Sequence, residues 1–271
     1  MRGEMRGTVG RVPLRERGEY GTCGRATRPP ATGAGHGLGR SLPSVVVTRD
    51  QVCRIAETPG WPSVLSVREL AAVEAFAVEK RRRDWLAGRL SAKLLIARTL
   101  ASTLGAAVPL RDIEVEYDAD GAPRFTVARR PGLERGWSIS ITHASGHGAC
   151  AMAQTSRVGR VGVDLERTRE LRPELLRYFL SAGERRRLGE SDPAGPITPL
   201  ALWTIKEAVI KAAPRLTERA MHNVHLAWDE TGRVAAAIAG PAANGVGVTV
   251  WCERRGTWIL AHATCRPTGE A

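Results

Sequence analysis

Apolar residues recur every three to four positions in some stretches of this chain and at every second position in others, the two spacings that separate helices from strands. A β-branched run at 44–48 predicts a strand. Ser66-Val67-Arg68-Glu69 has the form of a capping box, so a helix is expected from there towards Arg83, with a second over 85–104 that stops before Gly105. Four extended runs follow, 113–117, 124–127, 137–142 and 148–153, with turn chemistry at Asp120-Gly121 and Ser145-Gly146. A further strand is expected at 160–166. Short helices come next, one opening on a second capping box from Ser181 to Glu184, and then a main helix over 199–213 with Thr198 as N-cap and Pro199 at its first position. Four more extended runs close the chain, 222–227, 234–238, 246–251 and 257–263, turning at Thr231-Gly232, Asn244-Gly245 and Arg255-Gly256.

The same plan, helices and then four strands, thus occurs twice. Trp85 precedes Lys93 by the same eight residues that separate Trp203 from Lys211, and Asp118-to-Gly121 matches Asp229-to-Gly232. The expected fold is α+β: two similar halves related by a pseudo-twofold duplication, with the active site in the cleft between them. Residues 43–158 are assigned to the N-terminal half and 159–271 to the C-terminal half. Residues 1–42, rich in Arg and Gly and poor in apolar side chains, read as a disordered tail.

Composition narrows the class. With 43% apolar residues the chain can bury a substantial core. No run approaches the roughly 18 apolar residues of a membrane span, and no apolar signal core follows the N-terminal arginines, so a cytoplasmic protein with no membrane partner is expected. The five cysteines are scattered without metal-ligand spacing and read as reduced thiols. A formal charge of +12 attracts nucleic acid, anionic membrane and acidic protein alike. Aromatics at 5%, and a main helix that is apolar nearly all round, argue against nucleic acid.

Candidate chemistry concentrates in two segments. In the strand 160–166, the period of two places Val161, Val163 and Leu165 on one face and Asp164 with Glu166 on the other, where both carboxylates can reach one hard cation. The alternative is an edge strand with a solvated face. The apolar helix 199–213 carries Lys206, Glu207 and Lys211, charges that need partners once buried; an ordinary Glu207–Lys211 pair at helical spacing is the simpler alternative. Lys93 falls in the apolar stripe of the helix 85–104, and only four of the 40 basic residues are lysines. An ammonium is a compact charge for a phosphate, although its stem can also snorkel to the surface. The turn Thr142-His143-Ala144-Ser145-Gly146 offers N–H groups, a hydroxyl and an imidazole to a phosphate, or is simply a hairpin.

Taken together, four segments resemble the Sfp-type 4'-phosphopantetheinyl transferases: Gly88-Arg89-Leu90-Ser91-Ala92-Lys93, Ser140-Ile141-Thr142-His143, Val161-Gly162-Val163-Asp164-Leu165-Glu166 and Trp203-Thr204-Ile205-Lys206-Glu207-Ala208-Val209-Ile210-Lys211. The resemblance spans about residues 81–226. It implies an enzyme that moves the phosphopantetheine arm of coenzyme A onto a serine of an acidic acyl or peptidyl carrier protein, releasing 3',5'-ADP. Asp164, Glu166 and Glu207 would hold Mg2+, with Thr142 and His143 on the phosphates and Arg89 or Lys93 on the nucleotide end. Glu207 would take the serine proton, directly or through a water, and Lys211 would stabilise the leaving phosphate. The family's hairpin Gly-Lys-Pro is Gly121-Ala122-Pro123 here, so one coenzyme A ligand is missing. A carrier-binding pseudoenzyme of the same fold and a basic nucleic-acid-binding protein are the alternatives, and a monomer is expected.

Overall fold

The structure, a computed structural model, describes residues 42–58, 60–105, 107–190, 197–229, 234–239 and 246–266. Nearly all of the expected tail, together with Gly232, Asn244 and Gly245 of the late turns, lies outside the described residues. Strand β1 (Ser44–Val47) leads into α1 (Arg49–Glu57), whose N-cap Thr48 makes a capping box with Gln51. Helix α2 (Val67–Glu74) begins at the expected box, with Ser66 Oγ accepting the Glu69 N–H and Glu69 Oε2 accepting the Ser66 N–H. Helix α3 is continuous over Glu79–Leu104 and ends at left-handed Gly105. The interruption expected near Arg83 falls instead at 75–78. Glu79 pairs with Arg82 and Arg83, and Lys80 with Asp84, at helical spacing, so the charged run extends the helix.

Strands β2 (Ile113–Tyr117), β3 (Pro123–Val127), β4 (Trp137–Ala144) and β5 (His147–Gln154) follow, then a one-turn α4 (Thr155–Val158) and β6 (Arg160–Arg167). Helices α5 (Pro173–Phe179) and α6 (Ala182–Glu190) precede α7 (Pro199–Ala212), and β7 (Val224–Trp228), β8 (Val234–Ala239), β9 (Val246–Arg255) and β10 (Trp258–Cys265) complete the fold. The class is α+β and the strand pairs are antiparallel. One sheet runs β1-β5-β4 with the hairpin β2-β3 apart from it; the other runs β6-β10-β9-β8-β7. Leu95, Ile96 and Leu100 of α3 pack on Phe125, Ile139 and Met152, while Ile205 and Val209 of α7 pack on Val224, Val248 and Ala261.

The two sheets meet where β4 runs along β6. Among the described residues β6 pairs through its backbone with β10 alone, and serine side chains from β4 serve its other edge: Ser138 Oγ accepts the Val161 N–H at 3.1 Å and Ser140 Oγ accepts the Val163 N–H at 3.0 Å. Ala149 and Ala151 are small enough to let this face close on Val163, Leu165 and Leu260. Alternating hydroxyls in β4 therefore take the place of a backbone ladder.

The fold also contains two buried lysine latches of the same design. Lys93, with no exposed surface, places Nζ 2.5 Å from Glu69 Oε2 and donates to the carbonyls of Leu110 and Ile113. Lys206, 1% exposed, places Nζ 2.9 Å from Glu184 Oε2 and donates to the carbonyls of Phe179, Met221 and Val224. Both acids are the N3 residues of capping boxes, and each also accepts a strand N–H, from Val115 and Leu226. Lys93 and Lys206 thus share one kind of surroundings, whereas Lys211, which has the same spacing from a tryptophan as Lys93, pairs with Asp164 instead.

Candidate active site

A glycine sets the distance between strand and helix at the site. A Cβ on Gly162 would fall 1.9 Å from the Ala208 carbonyl oxygen and 2.8 Å from the Ala212 nitrogen, so only glycine lets β6 lie this close to the α7 backbone. Asp164 and Glu166, on the same face of β6 as Gly162, thereby look towards α7, where Glu207 and Lys211 stand one turn apart. Together with Thr142, His143, Tyr117, Ile141 and Trp203 they line a pocket of about 370 Å³. Six of the eight residues singled out in the sequence share this pocket.

Asp164 is the hub. Its Oδ1 accepts from Thr142 Oγ1 at 2.9 Å and from Lys211 Nζ at 2.7 Å, while Lys211 also donates to the Val163 carbonyl at 3.1 Å. Lys211 thus turns to Asp164 and not to Glu207, which removes the simple helical pair as an explanation. Asp164 Oδ2 is buried with no hydrogen-bond partner. Burial pushes the Glu166 and Glu207 carboxyls above their ordinary pKa values, and the Asp164 charge pushes both further; Arg169 pulls Glu166 back and Lys211 opposes the rise at Glu207. An orphaned carboxylate oxygen beside two destabilised carboxylates suits a hard divalent cation. Among the described residues no three acids, histidines or cysteines are gathered closely enough to hold a metal unaided; an ion here would have to draw its remaining ligands from water and substrate.

His143 stands at the pocket wall, its pKa lowered by loss of solvent and partly restored by the charge of Asp84. Arg89 and Lys93 are not brought to this pocket. Lys93 belongs to its latch. Arg89 is 7% exposed, its guanidinium stacked on Trp85 and Tyr117, with Nε and Nη1 lacking hydrogen-bond partners. The placement of Lys93 on the nucleotide end is corrected on these grounds, because its ammonium is enclosed by two carbonyls and a carboxylate. Sequence reasoning missed Tyr117 as a pocket residue and the stitching role of Ser138. The alternation Ser138-Ile139-Ser140-Ile141-Thr142 was the available signal.

A second pocket of about 360 Å³ shares Tyr117, Ile141 and Lys211 with the first. Its lining includes Arg124, Arg160, Arg219, Trp137 and the hairpin residues Gly121-Ala122-Pro123. The hairpin is tied across to the end of α7 by Arg215 on the Asp120 carboxylate, at 2.6 Å, and by Arg219 on the Asp120 carbonyl. One pocket is thus acidic and its neighbour basic.

A family model described as the 4'-phosphopantetheinyl transferase superfamily matches residues 160–253, the stretch that holds Asp164, Glu166, Glu207 and Lys211. The holo-[acyl-carrier-protein] synthase of Staphylococcus carnosus (strain TM300) is 35% identical over 86 residues, which is 32% of this chain and 69% of that protein. The 4'-phosphopantetheinyl transferase Npt of Nocardia iowensis is 28% identical over 197 residues, 69% of this chain and 81% of its own length. A solved ACPS–CoA complex from Chronobacterium ammoniagenes is 18% identical, with a TM-score of 0.34 over 42% of this chain and 96% of that one. On the strength of the carnosus relative and the matching family model, this chain belongs to the 4'-phosphopantetheinyl transferase superfamily.

Proposed function

We propose that this protein transfers the 4'-phosphopantetheine arm of coenzyme A to a serine of an acyl or peptidyl carrier protein, releasing 3',5'-ADP. The observation that carries the reading is one pocket lined at once by three carboxylates, a lysine, a hydroxyl and an imidazole. Asp164, Glu166 and Glu207 would hold Mg2+, which when bound supplies positive charge against a diphosphate. Thr142 and His143 then face the phosphate oxygens. Glu207 would take the proton of the incoming serine, directly or through a water. Lys211 stays beside Asp164 and stabilises the negative charge on the departing phosphate.

The basic pocket is read as the seat of the nucleotide end of coenzyme A. Arg124, Arg160 and Arg219 supply there the charge that Ala122 does not, and Trp137 with Tyr117 gives flat apolar surface for a base. The two halves are read as copies of one unit of which only the second kept the acidic motif. A net charge of +12 favours an acidic carrier. Incubation with coenzyme A, Mg2+ and an apo carrier tests the reading by mass spectrometry: the carrier gains one phosphopantetheine arm, and gains nothing when EDTA is present. Apo carriers from fatty acid, polyketide and nonribosomal peptide systems that all stay unmodified would contradict it.

A further inference from the structure

The turn that follows Thr142 and His143 is a two-residue hairpin loop, Ser145-Gly146, between paired Ala144 and His147. Ser145 has φ 51° and Gly146 φ 80°, both left-handed, and for serine this costs of order 1 kcal/mol unless neighbours hold it. The neighbour is α3. The Gly146 N–H donates to Asp84 Oδ1 at 2.5 Å, and Asp84 Oδ2 takes Lys80 Nζ at 2.9 Å. Asp84 is 6% exposed and does not line the acidic pocket. On the same face of α3, three and four residues on, Ala87 and Gly88 form the bed of the hairpin. A Cβ on Gly148 would strike the Ala87 carbonyl group at 2.2 Å, and a Cβ on Gly88 would stand 3.1 Å from Ile141 Cγ2 and 3.6 Å from His143 Cδ2. These close contacts limit how near the hairpin can lie to the helix. The Asp84 hydrogen bond fixes where its tip ends, and so where His143 stops along the pocket wall.

We infer that Asp84 is a positioning residue, whose carboxylate clamps the Gly146 N–H and thereby sets Thr142 and His143 against the substrate phosphates. Its kinetic consequences rest on the transferase reading; the clamp itself does not. Asp84→Ala is expected to raise KM for coenzyme A about tenfold while kcat changes by less than about threefold and KM for the carrier stays put. Asp84→Asn keeps an oxygen for Gly146 and should recover to within about threefold of wild type. Because Asp84 acts partly through His143, adding Asp84→Ala to His143→Ala should cost less than Asp84→Ala alone, the remainder being the share carried by Thr142.

Two readouts need no turnover. Hydrogen exchange of the Gly146 amide should speed up at least about tenfold in Asp84→Ala and stay slow in Asp84→Asn. The His143 imidazole, whose pKa the Asp84 charge raises while Lys211 and Lys80 lower it, should titrate lower in both variants, since Asp84 loses its charge. Unchanged Gly146 exchange in a folded Asp84→Ala, or Asp84 and His143 effects that multiply, would overturn the inference. A wild type without transfer activity would sink the transferase reading, and the exchange result would still decide whether Asp84 is the clamp.

Discussion

Asp164 divides its oxygens between two tasks. Oδ1 is held by Thr142 and Lys211, and that fixes the direction in which Oδ2, buried and unpaired, points. The repulsion this creates for Glu166 and Glu207 has a sign that can be checked. Their folded pKa values lie above the unfolded ones, so the folded state binds more protons, and their contribution to stability falls as pH rises through the folded pKa values. At neutral pH Mg2+ should therefore raise the melting temperature of the wild type, and should do so much less for Asp164→Asn, as differential scanning fluorimetry would show. Glu207→Gln should lower transfer at least about a hundredfold with no loss of thermal stability. Lys93 gives the opposite pattern: Lys93→Met leaves Glu69 buried without its cation, and is expected to cost about 3 kcal/mol in urea unfolding. A Lys93→Met variant as stable as wild type but weak in coenzyme A binding would restore the role on the nucleotide end.

At the scale of elements, the site depends on how closely β6 approaches α7 and how β4 is stitched to β6. Gly162→Ala would drive a methyl group into the Ala208 carbonyl, displacing Asp164 from Glu207, and should cost about 2 kcal/mol or more along with most of the transfer activity. Strands and capping boxes were legible in the sequence because their signals are local: alternation predicted β2 at its observed bounds, and Ser66, Ser181 and Thr198 sit at helix N-termini as expected. Helix α1 escaped notice although Thr48 and Gln51 spell a capping box. The break between α2 and α3 was misplaced because the run 81–83 looks like a solvated end until the pairing of Arg82 and Arg83 with Glu79 is counted. In the site, the pairing of Asp164 and Glu166 on one strand face could be read from a period of two. The fate of Lys93 could not, since its partners are a carboxylate 24 residues earlier and carbonyls 17 and 20 residues later. For the same reason Arg124, Arg160 and Arg219, far apart in the chain, give no sequence sign of a common pocket.

In the molecule as a whole, the two sheets close on each other through small side chains, Ala149 and Ala151, against Val163, Leu165 and Leu260, and one sheet carries a buried histidine. His262 on β10 is 2% exposed, stacked on Trp251, and neither ring nitrogen has a partner. Burial lowers its pKa from 6.5 to about 4, with Arg255 adding to the effect. The unfolded chain therefore binds the extra proton between those values, so stability is full above pH 6.5 and falls as pH drops towards 4, by about 3 kcal/mol in total. His262→Phe, which keeps a ring against Trp251, should remove this component, and equal losses in variant and wild type between pH 7 and pH 4.5 would contradict it. No helix among the described residues is long and apolar enough to cross a membrane. The central claim concerns the convergence of Asp164, Glu166 and Glu207 on one ion beside a diphosphate. Anomalous diffraction from crystals grown with Mn2+ and coenzyme A tests it most directly. The account predicts a single peak at bonding distance, about 2.2 Å, from carboxylate oxygens of this trio and from a phosphate oxygen; coenzyme A bound in the cleft with no peak at these acids would contradict it.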